Sequence, residues 1–257
     1  MKKPVIFIGI GEMGGVFARA ILRLGHPIVP VTRAMDLDEV AATYPEPELV
    51  LVSVAENDLP SVLENTPLQW REQLGLLQNE LLPRDWQVHS INNPTVISVW
   101  FEKKKGQDFK VLIPSPTYGP KAQLLVDALA TIEIPARVVA DNTALLEELV
   151  IKNVYILTTN ICGLITENNV NDLWQHHREL ATQVANEVID LQEWLTDSSF
   201  DRARLVEGFV AGINGDLEHM CMGRSAPARL TRAIGLADKA GLAVPKMREI
   251  YQKKVQS

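Results

Sequence analysis

Pro4-Val5-Ile6-Phe7-Ile8-Gly9-Ile10-Gly11-Glu12-Met13-Gly14, close to the start of the chain, decides how its first half folds. Val5 to Ile8 is an unbroken apolar run, the pattern of a strand covered on both faces in a parallel sheet. A G-x-G-x-x-G turn follows at once, Val16 to Leu24 reads as a helix closed by Gly25, and Ile28 to Val31 supplies a second strand. In such a turn the first glycine permits the tight bend and the second lets backbone approach a pyrophosphate. The third lets the helix pack close on the strand. The helix N-terminus then offers unpaired N–H groups and the positive end of a dipole to phosphates. Gly9, Ile10, Gly11, Glu12, Met13 and Gly14 are therefore read as the diphosphate turn of a dinucleotide site.

The end of the second strand distinguishes the nucleotides. An NAD-type site carries an acid there to bond the ribose 2′-hydroxyl, whereas this chain has Thr32 and Arg33. A hydroxyl and a guanidinium suit a 2′-phosphate, so the expected cofactor is NADP.

The 257 residues can hold one large domain or two modest ones. A net charge of −7, with Lys103-Lys104-Lys105 as the one basic run, argues against nucleic acid as a partner, since no basic stripe would displace counterions. That lysine run reads as a solvated hairpin tip. Cys162 and Cys221 stand far apart without a CxxC or histidine-rich neighbourhood, so neither a metal site nor a disulfide framework is expected. The N-terminus passes straight into the first strand, which leaves no room for a signal peptide. No apolar run is read as reaching the roughly 20 residues of a membrane span. The expected location is cytoplasmic, the expected partner a small-molecule substrate, and the expected assembly a homodimer.

Asp36 to Tyr44 reads as a short helix capped by Asp36, and Leu49 to Val54 as the third strand. Ligands of open α/β sheets gather at the carboxyl ends of strands, which singles out Ser53, Glu56, Asn57 and Asp58. For Asn57 and Asp58 the simpler reading is a cap on the helix through Asn65. Leu74 to Leu77 is a fourth strand delivering Gln78 and Asn79 to the same edge. Val96 to Phe101 and Phe109 to Ile113 read as an antiparallel hairpin added to the sheet, ended by the proline-rich stretch 114–120. A helix over 121–130 and a strand at Arg137 to Val139 close the first half.

From Asn142 onward only helical periodicity remains. The expected architecture is α/β, with a Rossmann-type nucleotide-binding domain over 1–141 and an all-α domain over 142–257, and a cleft between them. Asn142 to Thr166 is apolar almost all round, as in a buried helix. Asn171 to Leu195 reads as one amphipathic helix with His177 on its core stripe. Asp201 to Cys221 reads as another, whose Gly208, Gly212 and Gly215 mark a close helix crossing. Ser225 can cap a helix over 227–240 that Gly241 closes.

Lys152 lies within the most apolar of these helices. Burial there lowers an ammonium's pKa and makes it a proton donor near neutral pH, whereas at a helix edge it would simply snorkel out. Thr159 and Asn160 share its broad face, roughly 12 Å along the axis.

With these residues in place the chain resembles the ketopantoate reductase family. The likeness rests on Gly9 to Gly14, Thr32-Arg33, Leu77-Gln78-Asn79, Lys152 with Asn160, and Ala240-Gly241-Leu242-Ala243-Val244-Pro245. It implies a Rossmann domain joined to a helical domain of the phosphogluconate dehydrogenase-like type. It also implies an NADPH-dependent oxidoreductase that reduces the carbonyl of a 2-oxo acid, with Lys152 as general acid, Asn79 near nicotinamide and substrate, and Asn160 and the Ser225 position in the substrate pocket. Three positions depart from the family pattern: Ile156 replaces an asparagine, Ser225 stands where a substrate-binding glutamate falls, and Glu80 replaces a glycine. A related oxo acid or another small carbonyl compound fits these departures better than ketopantoate. A non-catalytic NADP-binding sensor on the same fold is the alternative.

Overall fold

The computed structural model describes residues 2–254, and the chain divides into two compact units, to Glu148 and from Leu149. In the first, β1 (Val5–Ile8), β2 (Ile28–Val31), β3 (Leu49–Val52), β4 (Leu74–Leu76) and β5 (Thr95–Ile97) run parallel, in the spatial order β2-β1-β3-β4-β5. All residues of β1, β3, β4 and β5 are buried, as the apolar runs require of a sheet covered on both faces. Pro30 sits in β2, an edge strand, where a missing N–H does least harm to the ladder.

The chain leaves β1 for β2 on one side and then crosses to β3 on the other. That reversal creates a crevice at the carboxyl ends of β1 and β3. Helix α1 (Glu12–Arg23) fills the space behind it, burying Val16, Phe17 and Ile21 against Val5, Phe7, Leu49 and Leu51. It is followed by α2 (Leu37–Thr43), which Asp36 caps by accepting from the N–H groups of Asp38 and Glu39, then α3 (Leu59–Glu64) and α4 (Pro83–Gln87).

The hairpin departs from expectation. Residues 95–97 join the main sheet, and the hairpin is a separate pair, β6 (Phe101–Lys103) with β7 (Phe109–Val111). Phe101 anchors it on Phe17, ring centroids 5.8 Å apart, and Lys103 turns back to Glu12 instead of standing in solvent.

The stretch read as a proline-rich terminator is β8 (Ser115–Tyr118), antiparallel to β5 and parallel to β9 (Ala136–Val138). Pro116 accepts from the Ser98 N–H but has no N–H to return, so the ladder with β5 stops there. Prolines on either side of a strand hid it from a composition-based reading. Between β8 and β9 lies α5 (Ala122–Ala130).

The helices then follow in series, beginning with α6 (Asn142–Thr166), and the division between the units falls inside it. Asp141 caps its start, accepting from the Ala144 N–H at 2.8 Å. At 25 residues α6 is long and apolar enough to cross a membrane, contrary to the sequence reading, but 83% of its most apolar window is buried inside the protein, as in a core helix.

The single helix expected over 171–195 is two, α7 (Val170–His176) and α8 (Arg178–Thr196). His177, at φ −127° and ψ 30°, forms the joint and is exposed beside Asp172, not part of a core stripe. Helix α9 (Arg202–Gly215) ends earlier than expected, and α10 (Ala226–Ala240) and α11 (Pro245–Lys254) complete the unit. The expected crossing is present at Gly208, where an added Cβ would fall 2.6 Å from Ile151 of α6. A second close approach, of Gly163 in α6 to Cys221 in the connection between α9 and α10, carried no warning in the sequence.

The N-terminus of α11 is satisfied from α8. Both carboxylate oxygens of Glu187 accept backbone N–H bonds, from Lys246 at 2.7 Å and Met247 at 2.8 Å. Glu187→Ala should therefore lower unfolding stability by about 1–2 kcal/mol. Denaturant unfolding measures this, with Glu187→Gln keeping part of the loss back because its amide oxygen can still accept.

Candidate active site

The glycine turn takes its shape from three different demands. Gly9 has φ +83°, a conformation that side chains with a Cβ avoid. A Cβ on Gly14 would lie 2.6 Å from the Ser53 hydroxyl oxygen and 2.8 Å from the Gly9 carbonyl oxygen, so helix, turn and β3 can meet only if residue 14 is glycine. Gly11 has φ −72°, and a Cβ there would meet nothing within 4 Å. Neither conformation nor packing within the protein requires glycine at position 11. Open space beside the uncapped start of α1 is where a phosphate's approach would require it.

Ser53, expected to touch the cofactor, lines the crevice but donates its hydroxyl to the Gly9 carbonyl, tying the end of β3 to the turn. Gln78 does similar work one strand over. Its amide donates to the Val52 carbonyl at 2.8 Å and its oxygen accepts from the Leu77 N–H. Asn79, beside it, is exposed in a turn, and Glu80 takes φ +59°, the left-handed conformation that the glycine of the family pattern would adopt freely.

A groove of about 680 Å³ runs over the crevice, lined by Gly9, Ile10, Gly11, Thr32 and Arg33 on one side and Ser53, Asn57 and Asp58 on the other. Its size suits a small-molecule or cofactor site. Glu12, Met13 and Gly14 are not among its lining residues; Glu12 instead pairs with Lys103 at 3.1 Å. Asp58 makes no cap bond to α3, against expectation. Its carboxylate takes a hydrogen bond from the Arg33 guanidinium at 2.6 Å, since a cation across the groove is a stronger partner than a neutral N–H.

In the helical unit Lys152 is partly covered, and its ammonium has its pKa lowered to about 7, first by burial and then by the positive charge of Arg229. Arg229, on α10, went unnoticed in the sequence, although a signal was available: it lies on the stripe Ala226, Leu230, Ala233 and Ala237 that α10 buries. An arginine on such a stripe needs a reason. Its guanidinium donates to the Asn160 side-chain oxygen at 2.9 Å, and the Asn160 amide donates to the Cys221 carbonyl at 3.1 Å.

The polar face expected around Lys152 is thus partly consumed. Asn160 bonds within the protein, and the Thr159 hydroxyl donates back to the Tyr155 carbonyl at 2.8 Å. Ser225 is half-buried at the start of α10 but makes no side-chain cap bond, because its own backbone is helical there. Its carbonyl accepts from the Arg229 N–H at 2.9 Å. Burial pushes both thiols up, Cys221 to about 12, so neither supplies a nucleophile.

No family model and no curated protein matches the chain by sequence. Solved structures do match in shape. A D-mandelate dehydrogenase in complex with NADH superposes with a TM-score of 0.67 at 14% identity, over 99% of this chain and 97% of that one. The 2-dehydropantoate 2-reductase of Methylococcus capsulatus gives 0.67 at 12% identity, over 97% and 94%. The chain has the ketopantoate reductase fold. A dimeric ketopantoate reductase from Staphylococcus aureus matches similarly, at 0.66 and 14% identity over 97% and 96%. Sequence identity this low establishes the fold alone, and the chemistry has to be argued from the side chains.

Two substitutions separate packing from function. Gly14→Ala should cost about 1–3 kcal/mol from overpacking, and Ser53→Ala should not rescue it, because the Gly9 carbonyl stays in the way; thermal melts of the two variants and the double variant decide. Lys152→Met should act in the opposite direction. The folded pKa of about 7 lies below the ordinary 10.5, so between these values the unfolded chain binds the extra proton and wild-type stability rises with pH. The methionine variant should melt higher than wild type at pH 6 and lose that advantage as the pH approaches 10.5.

Proposed function

We propose that this protein is an NADPH-dependent reductase of a small 2-oxo acid or a related carbonyl compound, with Lys152 as the general acid. The observation that carries the proposal is a lysine with a pKa near 7 in a buried helix, in a chain whose other unit forms a dinucleotide-type crevice. The D-mandelate dehydrogenase and ketopantoate reductases of the same fold support the reaction class by their names.

The dinucleotide would supply a hydride to the carbonyl carbon. Gly11 and the first turn of α1 would hold its diphosphate, and Arg33 with Thr32 the 2′-phosphate. Hydride arrival leaves a negative oxygen, and Lys152 would give that oxygen its proton from Nζ. An ammonium with a pKa near 7 is a stronger acid than an ordinary lysine and is still largely protonated just below neutrality. The Arg229 charge that favours proton release would also stabilise the developing alkoxide. With Ile156 and Ser225 at the departed positions and Asn160 bonded internally, a related oxo acid or another small carbonyl compound suits these side chains better than ketopantoate. The protein would work as a homodimer in the cytoplasm, on a small molecule and with neither nucleic acid nor membrane as partner.

The internal bonds of Thr159 and Asn160 favour a second reading, an NADP-binding sensor without turnover. A panel of 2-oxo acids with NADPH, followed at the nicotinamide absorbance, separates the two: turnover of any member rejects the sensor, and none at all rejects the reductase.

On the substrate so found, Lys152→Ala should lower turnover by at least about 10²-fold, with NADPH affinity nearly unchanged. Wild-type reduction should also fall as pH rises through about 7, where the acid loses its proton, and the variant should lack that limb. Survival of turnover within a few-fold would move the proton to water or to another group such as Tyr155 or His219.

A further inference from the structure

Arg33 and Asp58 are the two charged side chains among the described residues that line the nucleotide groove. They come from different connections: Arg33 is the second residue after β2, and Asp58 ends the short 3-10 turn Glu56–Asp58 that leads from β3 into α3, on the other side of the switch point. One guanidinium nitrogen of Arg33 lies 2.6 Å from Asp58 Oδ2. The arginine side chain is 90% exposed and the aspartate 41%, so the pair stands in water, contributes at most about 1 kcal/mol to the fold, and can be opened by a ligand.

We propose that Asp58 is a specificity-determining residue of this groove, one that lowers the preference for a 2′-phosphate and accepts the 2′-hydroxyl of an unphosphorylated dinucleotide. This presupposes that the groove holds a dinucleotide. A 2′-phosphate seated on Arg33 arrives within a guanidinium's width of a carboxylate. It must displace that carboxylate from Arg33 or remain beside it, and like charges at such range oppose binding. A ribose 2′-hydroxyl has the reverse relation to the pair, since it brings a proton to donate and the carboxylate is an acceptor.

Sites for unphosphorylated dinucleotides carry their acid at the end of the second strand. This chain has an arginine there and supplies the acid from the turn that follows the third strand instead. The groove therefore offers one group to each nucleotide, and the two groups neutralise each other when it is empty of either. The other polar side chains that line it, Thr32, Ser53, Asn57, Ser61 and Asn65, are neutral and add nothing to the charge balance.

Calorimetric titration of NADPH and of NADH into the full-length protein and into Asp58→Asn tests this. Asparagine keeps the size of the side chain, removes the charge and releases the guanidinium. The variant should bind NADPH about tenfold more tightly and NADH a few-fold more weakly, so that the ratio of the two affinities rises by about tenfold or more. Its melting temperature should match wild type, since the pair is exposed, which separates a ligand effect from a folding one. A ratio altered by less than about threefold overturns the proposal while leaving the dinucleotide site intact. Binding of neither nucleotide to the wild type overturns the dinucleotide reading, and the proposal with it.

Discussion

The absence of a side chain at Gly14 is the constraint on which the nucleotide-binding unit depends. Helix α1 can lie against the turn only because residue 14 has no Cβ, since the Ser53 hydroxyl oxygen and the Gly9 carbonyl occupy the space one would need. Ser53 then bonds that same carbonyl, and its own N–H bonds the Ile8 carbonyl, so β1, β3 and the turn are locked at one point. That point is also the topological switch, where two strands diverge to opposite sides and the crevice opens. Gln78 repeats the device between β3 and β4 with a buried amide in place of a hydroxyl. The floor of the groove is held by side-chain bonds to carbonyls at the strand ends, and among the described residues α1 starts without a side-chain cap.

The helical unit manages polarity differently. Its long helix buries Asn153, Thr158, Thr159 and Asn160 among apolar neighbours, and most of these are answered within the protein. Asn153 donates to Gln192 of α8, Thr159 to its own helix, and Asn160 links Cys221 to Arg229. Burying a polar group without a partner costs about 1–3 kcal/mol, so such pairing is expected of a core. Lys152 is different in kind. A group held near its pKa at neutral pH by burial and a neighbouring cation costs stability there, and such groups concentrate where proton transfer is needed.

The two halves of the proposed chemistry were unequally legible. The glycine turn is local: six consecutive residues fix a bend and a helix start, and their reading needs no distant partner. The β2 end is only half local. Arg33 is visible in the sequence, but its neighbour Asp58 belongs to the turn between β3 and α3, and in the sequence Asp58 looks like one more helix cap. Arg229 is separated from Asn160 by 69 positions, and nothing but the shape of the unit brings them together. Similarly, β8 was hidden because its prolines read as breakers, although Pro116 and Thr117 give their carbonyls to Ser98 and Val139 and Ser115 donates its N–H to Pro135.

By itself the sequence determined what depends on near neighbours: the apolar strands, the strand-turn-helix unit, the Asp36 cap and the change to helices at Asn142. These follow from periodicity and from the conformational limits of glycine, proline and capping side chains, which act over one or two turns of chain. Only the tertiary structure decided what each polar side chain does. Whether Asp58 caps a helix or holds Arg33, and whether Asn160 faces a ligand or a guanidinium, turns on which donor lies nearest in space. The strength of a hydrogen bond or an ion pair falls steeply with distance and angle, and sequence spacing carries no information about either once the partners lie on different elements.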